Sequence, residues 1–323
     1  MTAMAETDPA DTMKSGATAV APLNLVVMLG GPSAEREVSL KSGAAVADAL
    51  ESIGHTVTRL DPKNSDWRLP ENSDGVFLAL HGRYGEDGTI QAKLDGLGVI
   101  YTGCGAEASA LAFNKARTKE VWTAAGVPTP RGAVLTEREA WLPEDWRLPV
   151  IMKPVCQGSS VGLQIVESEN VFESALEQAL EFDNAVLMEE LIRGREFTVG
   201  ILDGEALPLV EIRPRHGTFD YQNKYTEGAT DYFCPADLDQ ATTDRIQSLA
   251  LRAFDALGGQ DYGRLDVMLD AEGNPFFLEL NTLPGMTETS LLPKAAEVWG
   301  MPYPELCHRM VELALTRAQQ DAR

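Results

Sequence analysis

A predicted β-hairpin near the carboxyl end of the chain restricts what the surrounding residues can fold into. Two apolar runs, Arg264–Leu269 and Phe276–Leu280, flank a short segment rich in turn-forming residues. This arrangement is typical of two antiparallel strands joined by a turn. We expect Asp270 to pair with Pro275 across a four-residue loop, which fixes the register of every other residue in the hairpin.

That register places two carboxylates opposite each other. Asp266 would face Glu279, and Arg264 would face Asn281, with all four side chains on related faces of the strands. Opposed carboxylates repel each other unless a cation lies between them, and oxygen ligands of this kind suit Mg²⁺. From the hairpin alone, a solvated polar face is the simpler interpretation. The other motifs of the chain favour a metal site.

The composition is that of an acidic globular chain without export or membrane signals. A formal charge of −22, from 27 basic and 49 acidic residues, argues against nucleic acid or an anionic membrane as a partner. The four cysteines lack CxxC or zinc-binding spacing, so we expect free thiols in a reducing compartment. No apolar run reaches the roughly 18–20 residues of a membrane span, and we expect a cytoplasmic protein.

An N-terminal α/β domain is expected at residues 23–103, after a disordered tail at 1–22. A buried-type strand ends in the glycine turn Gly30–Ser33, at the position where open α/β sheets bind ligands. His81 follows another strand in the same way. The expected strands are Leu23–Leu29, Thr56–Leu60, Gly75–Leu80 and Val99–Tyr101, and the expected helices are Glu35–Ile53 and Thr89–Leu97.

Two α+β units are expected to follow, at 104–191 and 192–323. The second contains a polar segment, Pro214–Pro235, which we expect to be a mobile loop because loops this long are usually functional or disordered. The expected strands are Arg131–Leu135, Val150–Pro154, Val161–Val166, Ala185–Glu190, Glu196–Leu202 and Ala206–Arg213. The expected helices are Ala106–Phe113, Lys115–Ala125, Val171–Phe182, Ala241–Leu257, Ser290–Trp299 and Tyr303–Arg317.

The loop Cys156–Gly162 is rich in small residues, which let several backbone N–H groups converge on phosphate oxygens. It also contains a GxSxG pattern centred on Ser160, as in the nucleophile turn of many hydrolases. That turn requires a helix directly after it, whereas Leu163–Val166 is typical of a strand, so a serine hydrolase is disfavoured. The absence of any Gly-Lys pair excludes a Walker A loop.

The residues suited to bind Mg-ATP lie on separate segments of the chain, which is typical of ATP-grasp enzymes. They are two lysines, the glycine- and serine-rich loop and the hairpin that carries the carboxylates. The motifs, in chain order, resemble those of the D-alanine–D-alanine ligase family, and the resemblance runs from about Leu23 to the end of the chain. It implies an ATP-grasp fold with three subdomains, in which a Rossmann-like N-terminal domain precedes two α+β subdomains that clasp ATP. The motifs are LGGPSAEREVSLKSG, LHGRYGEDG, KP with QGSSVG, KY, GRLDVML and ELNTLPGMT.

The resemblance implies a nucleotide site and a metal site. ATP would be the co-substrate, together with Mg²⁺ or Mn²⁺, two ions per active site. Lys115 and Lys153 would contact the phosphates. The metal ligands implied are Asp266, Glu279 and Asn281. The ATP-binding residues implied are Lys115, Lys153, Ser159, Ser160, Glu189, Leu191, Glu196 and Lys224.

The resemblance also implies catalytic roles. Arg264 would stabilise the tetrahedral intermediate, assisted by the backbone of Gly285. Glu35, Ser159 and Tyr225 would form a hydrogen-bonded triad. The residues implied to bind the amino-acid substrates are Glu35, His81, Lys224 and Ser290.

The implied reaction joins two D-alanine molecules for peptidoglycan precursor synthesis. ATP would phosphorylate the carboxylate of one molecule, and the amine of the second would attack the acyl phosphate. The expected partners are these small molecules and a second copy of the chain in a homodimer, without nucleic acid or a membrane.

Three alternatives remain open at this stage. A ligase that uses D-lactate or D-serine as its second substrate would keep the fold, although Tyr225 argues against D-lactate. A different ATP-grasp carboxylate–amine ligase would leave Glu35, His81 and Tyr225 unexplained. A nucleotide-binding regulator without turnover would be expected to have lost Asp266, Arg264 or Glu279, which are all present.

Overall fold

Three β-sheets organise the described part of the chain. The computed structural model describes residues 21–64, 66–136, 141–159, 161–215 and 230–321. The tail expected at 1–22 therefore lies outside the described residues as far as residue 20. Among the helices that are described, none is both long and apolar enough to cross a membrane.

The first sheet is parallel and lies in the N-terminal part of the chain. Its strand order is β2-β1-β3, because the helix after β1 carries the chain back to start a neighbouring parallel strand. The strand expected at Val99–Tyr101 is wrong: Tyr101 makes a single bridge to Val76, between left-handed glycines at 98 and 103. The elements are β1 (Asn24–Met28), α1 (Arg36–Ser52), β2 (Thr56–Leu60), β3 (Gly75–Leu78) and α2 (Thr89–Gly96).

The second sheet is antiparallel, with the order β4-β7-β5-β6. The strand expected from Val161 begins only at Gln164, because Gly162 has a φ of +73° that interrupts extended structure. The helices before and after these strands begin and end within three residues of the expected bounds. The elements are α3 (Ala106–Phe113), α4 (Lys115–Ala124), β4 (Gly132–Leu135), β5 (Val150–Pro154), β6 (Gln164–Val166), a 3₁₀ helix (Glu169–Val171), α5 (Phe172–Leu180) and β7 (Val186–Glu190).

The third sheet has the order β11-β10-β8-β12-β13, with β9 paired to β8. The single strand expected at Ala206–Arg213 is wrong, because Pro208 has no N–H for the sheet and divides it into β9 and β10. Residues 230–233 of the expected loop Pro214–Pro235 form β11, and residues 216–229 lie outside the described part. The elements are β8 (Gly194–Leu202), β9 (Glu205–Ala206), β10 (Val210–Pro214), β11 (Thr230–Phe233), α6 (Gln240–Ala256), β12 (Tyr262–Asp270), β13 (Pro275–Asn281), α7 (Leu291–Trp299) and α8 (Tyr303–Asp321).

The C-terminal helices return to the first sheet and complete its core. Leu306 and Met310 of α8 belong to one buried cluster with Leu25 of β1 and Leu50 of α1. Burial of such side chains stabilises the fold by about 1.5–3 kcal/mol each. Residues near both ends of the described chain are therefore held in one hydrophobic core, and the hairpin formed by β12 and β13 lies directly before the helices that close it.

Helix α1 packs unusually close to β1. A Cβ atom placed on Gly43 would lie 2.3 Å from the Cβ of Leu29, a separation that real side chains do not adopt. We therefore expect Gly43→Ala to force α1 away from the sheet and to lower the free energy of unfolding by about 1–3 kcal/mol. Urea denaturation followed by circular dichroism measures this change.

Gly96, in the last turn of α2, provides the matched control. A Cβ there would meet nothing within 4 Å, so Gly96→Ala should leave stability unchanged or raise it slightly through helix propensity. Equal destabilisation by both substitutions would contradict the close packing of α1.

Candidate active site

A cleft of about 710 Å³ lies between the second and third sheets. Cavities of this size commonly bind small molecules. Charged residues line the cleft where α4 and β5 approach the hairpin, among them Lys115, Lys153, Asp266 and Glu279. The apolar residues that line it include Ile151, Val161, Leu163, Ile165, Leu191, Ile192, Ile212, Met268 and Leu278.

The hairpin β12–β13 brings two of the expected polar residues, Asp266 and Glu279, to the lining of this cleft. Asp266 pairs with Glu279, and Arg264 pairs with Asn281, so the expected register is confirmed at the functional end. A β-bulge leaves Leu278 without a partner, between the pairs on either side of it. Because of the bulge, Leu278 and Glu279 both line the cleft, although consecutive residues of a regular strand face opposite ways.

The register expected at the turn is wrong by one residue. Pro275 pairs with Leu269 rather than with Asp270. The carboxylate of Asp270 instead accepts hydrogen bonds from the backbone N–H of Asn274 at 2.7 Å and from its side-chain amide at 3.0 Å. Gly273, with a φ of +81°, lets the chain turn in five residues instead of four, and the bulge compensates for the difference.

Arg264 and Asp266 form a buried, two-pronged ion pair. Nε and Nη2 of Arg264 donate to the two carboxylate oxygens of Asp266 at 3.0 and 2.9 Å. The same carboxylate accepts from the hydroxyl of Thr198 at 2.8 Å and from Nδ2 of Asn281 at 3.1 Å. Burial alone would lower the pKa of Arg264, but the negative charge of Asp266 raises it above the ordinary value. The arginine is therefore a permanent cation beside the carboxylates.

The donor set of the hairpin fits Mg²⁺. Asp266 and Glu279 offer carboxylate oxygens on one cleft wall, and Asn281 offers an amide. Within the described ranges, no group of three or more acidic, histidine or cysteine side chains could enclose a metal. Mg²⁺ usually takes one or two carboxylates and completes its shell with water and phosphate oxygens. An ion held here would therefore depend on a phosphate ligand.

Lys115 connects the glycine- and serine-rich loop to the hairpin. Its ammonium donates to the backbone oxygen of Gln157 at 2.5 Å and lies 3.4 Å from a carboxylate oxygen of Glu279. This places a positive charge between the loop expected to bind phosphates and the residues expected to bind metal. A triphosphate in the cleft could accept from the same ammonium.

Glu189 is buried between Lys153 and Lys119, and Lys119 was not among the residues predicted from the sequence. Its carboxylate lies 2.5 Å from Nζ of Lys153 and 2.6 Å from Nζ of Lys119, which also donates to Thr129 at 2.8 Å. Burial opposes ionisation of Glu189, yet the two ammonium groups lower its pKa. Burial lowers the pKa of Lys119. Lys119 follows Lys115 by four residues on α4, so helical spacing could have identified it.

Other residues implied to bind ATP also lie at the cleft. Leu191 and Glu196 are in its lining, and so is Ile192, which directly follows Leu191 but was not among the predicted residues. The structure does not describe Ser160, Lys224 or Tyr225, which fall within or beside the gaps in the described ranges.

Glu35 reaches the glycine- and serine-rich loop from the N-terminal part of the chain. The hydroxyl of Ser159 donates a short hydrogen bond to Oε1 of Glu35. Cβ atoms placed on Gly82 and Gly158 would lie 2.7 and 2.9 Å from Oε2, so the carboxylate lies directly against the backbone of both glycines. Two members of the expected triad are therefore in contact, and the third, Tyr225, lies outside the described residues.

The remaining residues expected to bind substrate or assist catalysis surround the turn after β13. The imidazole of His81 contacts the backbone oxygen of Leu283 at 3.1 Å. A Cβ atom on Gly285 would lie 3.0 Å from the hydroxyl oxygen of Ser290, so these two residues are adjacent. This oxygen accepts from the backbone N–H of Thr287 at 3.1 Å. His81, Gly285 and Ser290 are thus brought to one turn.

Family models match most of the folded chain. The model described as "D-ala D-ala ligase N-terminus" matches residues 59–104, and the model described as "D-ala D-ala ligase C-terminus" matches residues 121–312. The chain belongs to the D-alanine–D-alanine ligase family. The resemblance seen in the sequence motifs is therefore confirmed.

Individual members of this family match along nearly their whole length. A D-alanine–D-alanine ligase of Methylacidiphilum infernorum (isolate V4) is 44% identical over 296 residues, which are 92% of this chain and 97% of the relative. One of Azoarcus sp. (strain BH72) is 46% identical over 287 residues, 88% of this chain and 94% of the relative. The similarity is therefore not confined to one subdomain.

Solved structures of the family share the fold. The D-alanine–D-alanine ligase of Bacillus anthracis superposes with a TM-score of 0.83 at 33% identity, over 93% of this chain and 99% of that one. A structure of the Bacillus anthracis ligase complexed with ATP gives a TM-score of 0.81 at 30% identity, with the same coverage. The expected ATP-grasp fold is confirmed, whereas the division at residues 103 and 191 stays a prediction.

The buried lysine pair around Glu189 leads to a stability prediction. Lys119→Met removes one ammonium but keeps the aliphatic stem, and it should lower the free energy of unfolding at pH 7 by about 1–3 kcal/mol. Because Glu189 has a lowered pKa when folded, this contribution is present above the ordinary glutamate range near 4.3 and is lost as the pH falls below it. Urea denaturation at several pH values measures both effects.

Lys41, an exposed lysine on α1, is the control, and Lys41→Met should change stability by less than about 0.5 kcal/mol. If Lys119→Met were as stable as the parent protein at every pH, Lys119 would have no part in holding Glu189.

Proposed function

We propose that this protein joins two molecules of D-alanine, at the expense of ATP, to give D-alanyl-D-alanine, ADP and phosphate for peptidoglycan precursors. The observation that carries the proposal is the pair of opposed carboxylates, Asp266 and Glu279, on the wall of an ATP-sized cleft, with the buried Arg264 bonded to Asp266, in a member of this ligase family. A carboxylate is a poor acyl donor, so the reaction needs an activation step before the amide bond can form.

The first step would be phosphorylation of the carboxylate of one D-alanine. ATP would occupy the cleft between the two antiparallel sheets, with its base against the apolar residues and its phosphates near Lys115 and Lys153. Two Mg²⁺ or Mn²⁺ ions, held by Asp266, Glu279 and Asn281, would neutralise charge on the transferring phosphoryl group. Glu35 would bind the ammonium group of the first D-alanine.

The second step would be attack of the amine of another D-alanine on the acyl phosphate. The guanidinium of Arg264 has five N–H donors, and its pair with Asp266 uses one on Nε and one on Nη2. The other donors of this fixed cation can face the developing oxyanion, together with the backbone of Gly285. Each such donor is typically worth about 3–4 kcal/mol in the transition state.

Family membership also supports expectations about the subunit number and about three site residues that lie outside the described ranges. We include in the proposal a homodimer, which light scattering of the purified protein can test, and roles for Ser160, Lys224 and Tyr225 at the site. The cytoplasmic location stays a prediction.

The proposed reaction has a direct assay. Phosphate release should require ATP, a divalent cation and D-alanine, and mass spectrometry should show D-alanyl-D-alanine as the product. L-Alanine, D-lactate and D-serine are the comparison substrates, each tested alone and with D-alanine. Release without D-alanine would overturn the ligase proposal, and D-lactate as effective as D-alanine near neutral pH would favour a depsipeptide ligase.

Asp266→Asn tests the metal site within the hairpin. The amide keeps an oxygen for Arg264 but loses the charge that a metal requires, so turnover should fall at least about 100-fold while the protein stays folded. Phosphate release measures turnover, and thermal denaturation with and without Mn²⁺ and ATP measures fold and binding. Ligand-induced stabilisation should shrink in the variant.

The exposed Glu272, in the turn of the same hairpin, gives a charge-matched control. Glu272→Gln removes one negative charge without touching the cleft and should keep full activity. Normal turnover by Asp266→Asn would mean that the hairpin is not the metal site.

A further inference from the structure

A buried polar contact joins helix α1 to the turn that follows the catalytic hairpin. Ser42, on α1, has no solvent exposure, and its hydroxyl oxygen accepts from the backbone N–H of Met286 at 3.3 Å. The same oxygen lies 3.0 Å from Nε2 of His81. The other ring nitrogen of His81, Nδ1, lies 3.1 Å from the backbone oxygen of Leu283. The contacts form a closed ring, from the turn through Ser42 and His81 back to the turn.

For a neutral imidazole, only one assignment of hydrogens satisfies every member of this ring. The backbone N–H of Met286 can only donate and the oxygen of Leu283 can only accept, so Ser42 accepts from the first and Nδ1–H of His81 donates to the second. The hydroxyl hydrogen of Ser42 then donates to an unprotonated Nε2. The opposite tautomer would set the Nδ1 lone pair against a carbonyl oxygen.

The surroundings of the ring favour the same arrangement. Leu283 is buried among the apolar residues of the first sheet, which anchors one end of the turn. The hydroxyl of Tyr303 donates to the backbone oxygen of Met286, which anchors the other end. Glu86 places one carboxylate oxygen 3.6 Å from Nδ1 of His81, on the side away from Ser42.

The ring connects three parts of the proposed active site. Helix α1 begins directly after Glu35, His81 follows β3, and Gly285 lies inside the turn whose ends the ring holds. Ser42 itself does not line the cleft between the sheets. Its contacts nevertheless fix the distance between the residues proposed to receive the first D-alanine and the backbone proposed to bind the oxyanion.

We propose that Ser42 is a positioning residue, which holds His81 in the neutral Nδ1–H tautomer and holds the Leu283–Met286 turn against helix α1. The proposal rests on the function proposed above, because it assigns Ser42 to the D-alanine end of the site and not to the ATP end. Without the hydroxyl, the N–H of Met286 and Nε2 of His81 would both lose a buried partner.

Ser42→Ala should therefore impair use of D-alanine selectively. We expect kcat/KM for D-alanine to fall by about 10- to 100-fold, as for the loss of one or two buried hydrogen bonds. The KM for ATP should change by less than about twofold, because neither Ser42 nor the turn lines the nucleotide cleft. Steady-state phosphate release with each substrate varied in turn gives both values.

Ser39 is a matched control on the same helix. It is equally buried, donates to the backbone oxygen of Ala79 at 2.6 Å and accepts from the N–H of Gly30 at 2.8 Å. Ser39→Ala should lower the melting temperature about as much as Ser42→Ala but leave kcat/KM for D-alanine nearly unchanged. Equal kinetic losses in both variants would mean that Ser42 is only structural.

A second measurement does not depend on activity. The chain has four histidines, and ¹⁵N labelling of their rings reports which nitrogen carries hydrogen. We expect His81 to show protonated Nδ1 and unprotonated Nε2 in the parent protein, and a changed tautomer balance in Ser42→Ala. Protonated Nε2 in the parent protein would overturn the proposal, even if D-alanine proved not to be the substrate.

A double-mutant cycle tests whether Ser42 acts through His81. His81→Asn keeps a donor near the Nδ1 position but loses the acceptor for Ser42, so the effects of the two substitutions on kcat/KM should not add. Additive effects would separate the two residues. Normal D-alanine kinetics in Ser42→Ala, alongside an active parent enzyme, would overturn the positioning role and leave the proposed reaction standing.

Discussion

The ion pair between Arg264 and Asp266 is the interaction on which the rest of the site depends. Both residues are buried on β12, a strand that lies between β8 and β13 in the third sheet. Removing a charge from water costs several kcal/mol, and each of these two groups offsets that cost for the other. Two parallel hydrogen bonds, together with those from Thr198 and Asn281, satisfy the carboxylate. A fixed cation and a carboxylate can therefore share one strand face.

The same balance recurs around the cleft. Lys153 and Lys119 are paired with Glu189, and Lys115 lies near Glu279, so the cations expected to meet ATP are already compensated by protein carboxylates. A nucleotide would therefore bind to lysines that are already paired, and its phosphate oxygens would replace protein carboxylates as their acceptors. The net affinity for a nucleotide is then the small difference between the energy gained with its phosphates and the energy lost with the protein carboxylates. It is therefore sensitive to any substitution that changes one of these ion pairs.

Much of this could be predicted from local sequence, because the strands and helices follow hydrophobic periodicity and turn chemistry. The opposed Asp266 and Glu279 were predicted as well, since strand pairing fixes which residues face each other. Tertiary features could not be read in this way. Two strand bounds were predicted wrongly for local reasons, the missing N–H of Pro208 and the positive φ of Gly162. The burial of Lys119, in contrast, depends on Glu189, which lies seventy residues away along the chain.

The N-terminal sheet shows the same limit on a larger scale. Its apolar strands required a covering layer, but no local pattern indicates that α8, at the far end of the chain, provides part of it. The ring through Ser42 likewise joins residues more than two hundred positions apart. Contacts of this kind become visible only when the sheets are assembled.

The bulge at Leu278 separates the two ends of the hairpin. On its turn side the strands follow one register, and on its site side they follow another that differs by one residue. Without the bulge, a one-residue change in the length of the turn would shift the register of the whole hairpin. Side chains that now face the cleft would then face the core. With the extra residue in place, the outer turn and the cleft end each keep the register that suits them. The hairpin therefore consists of two short paired segments with independent registers. The turn determines the register of one segment, and the residues at the cleft determine the register of the other.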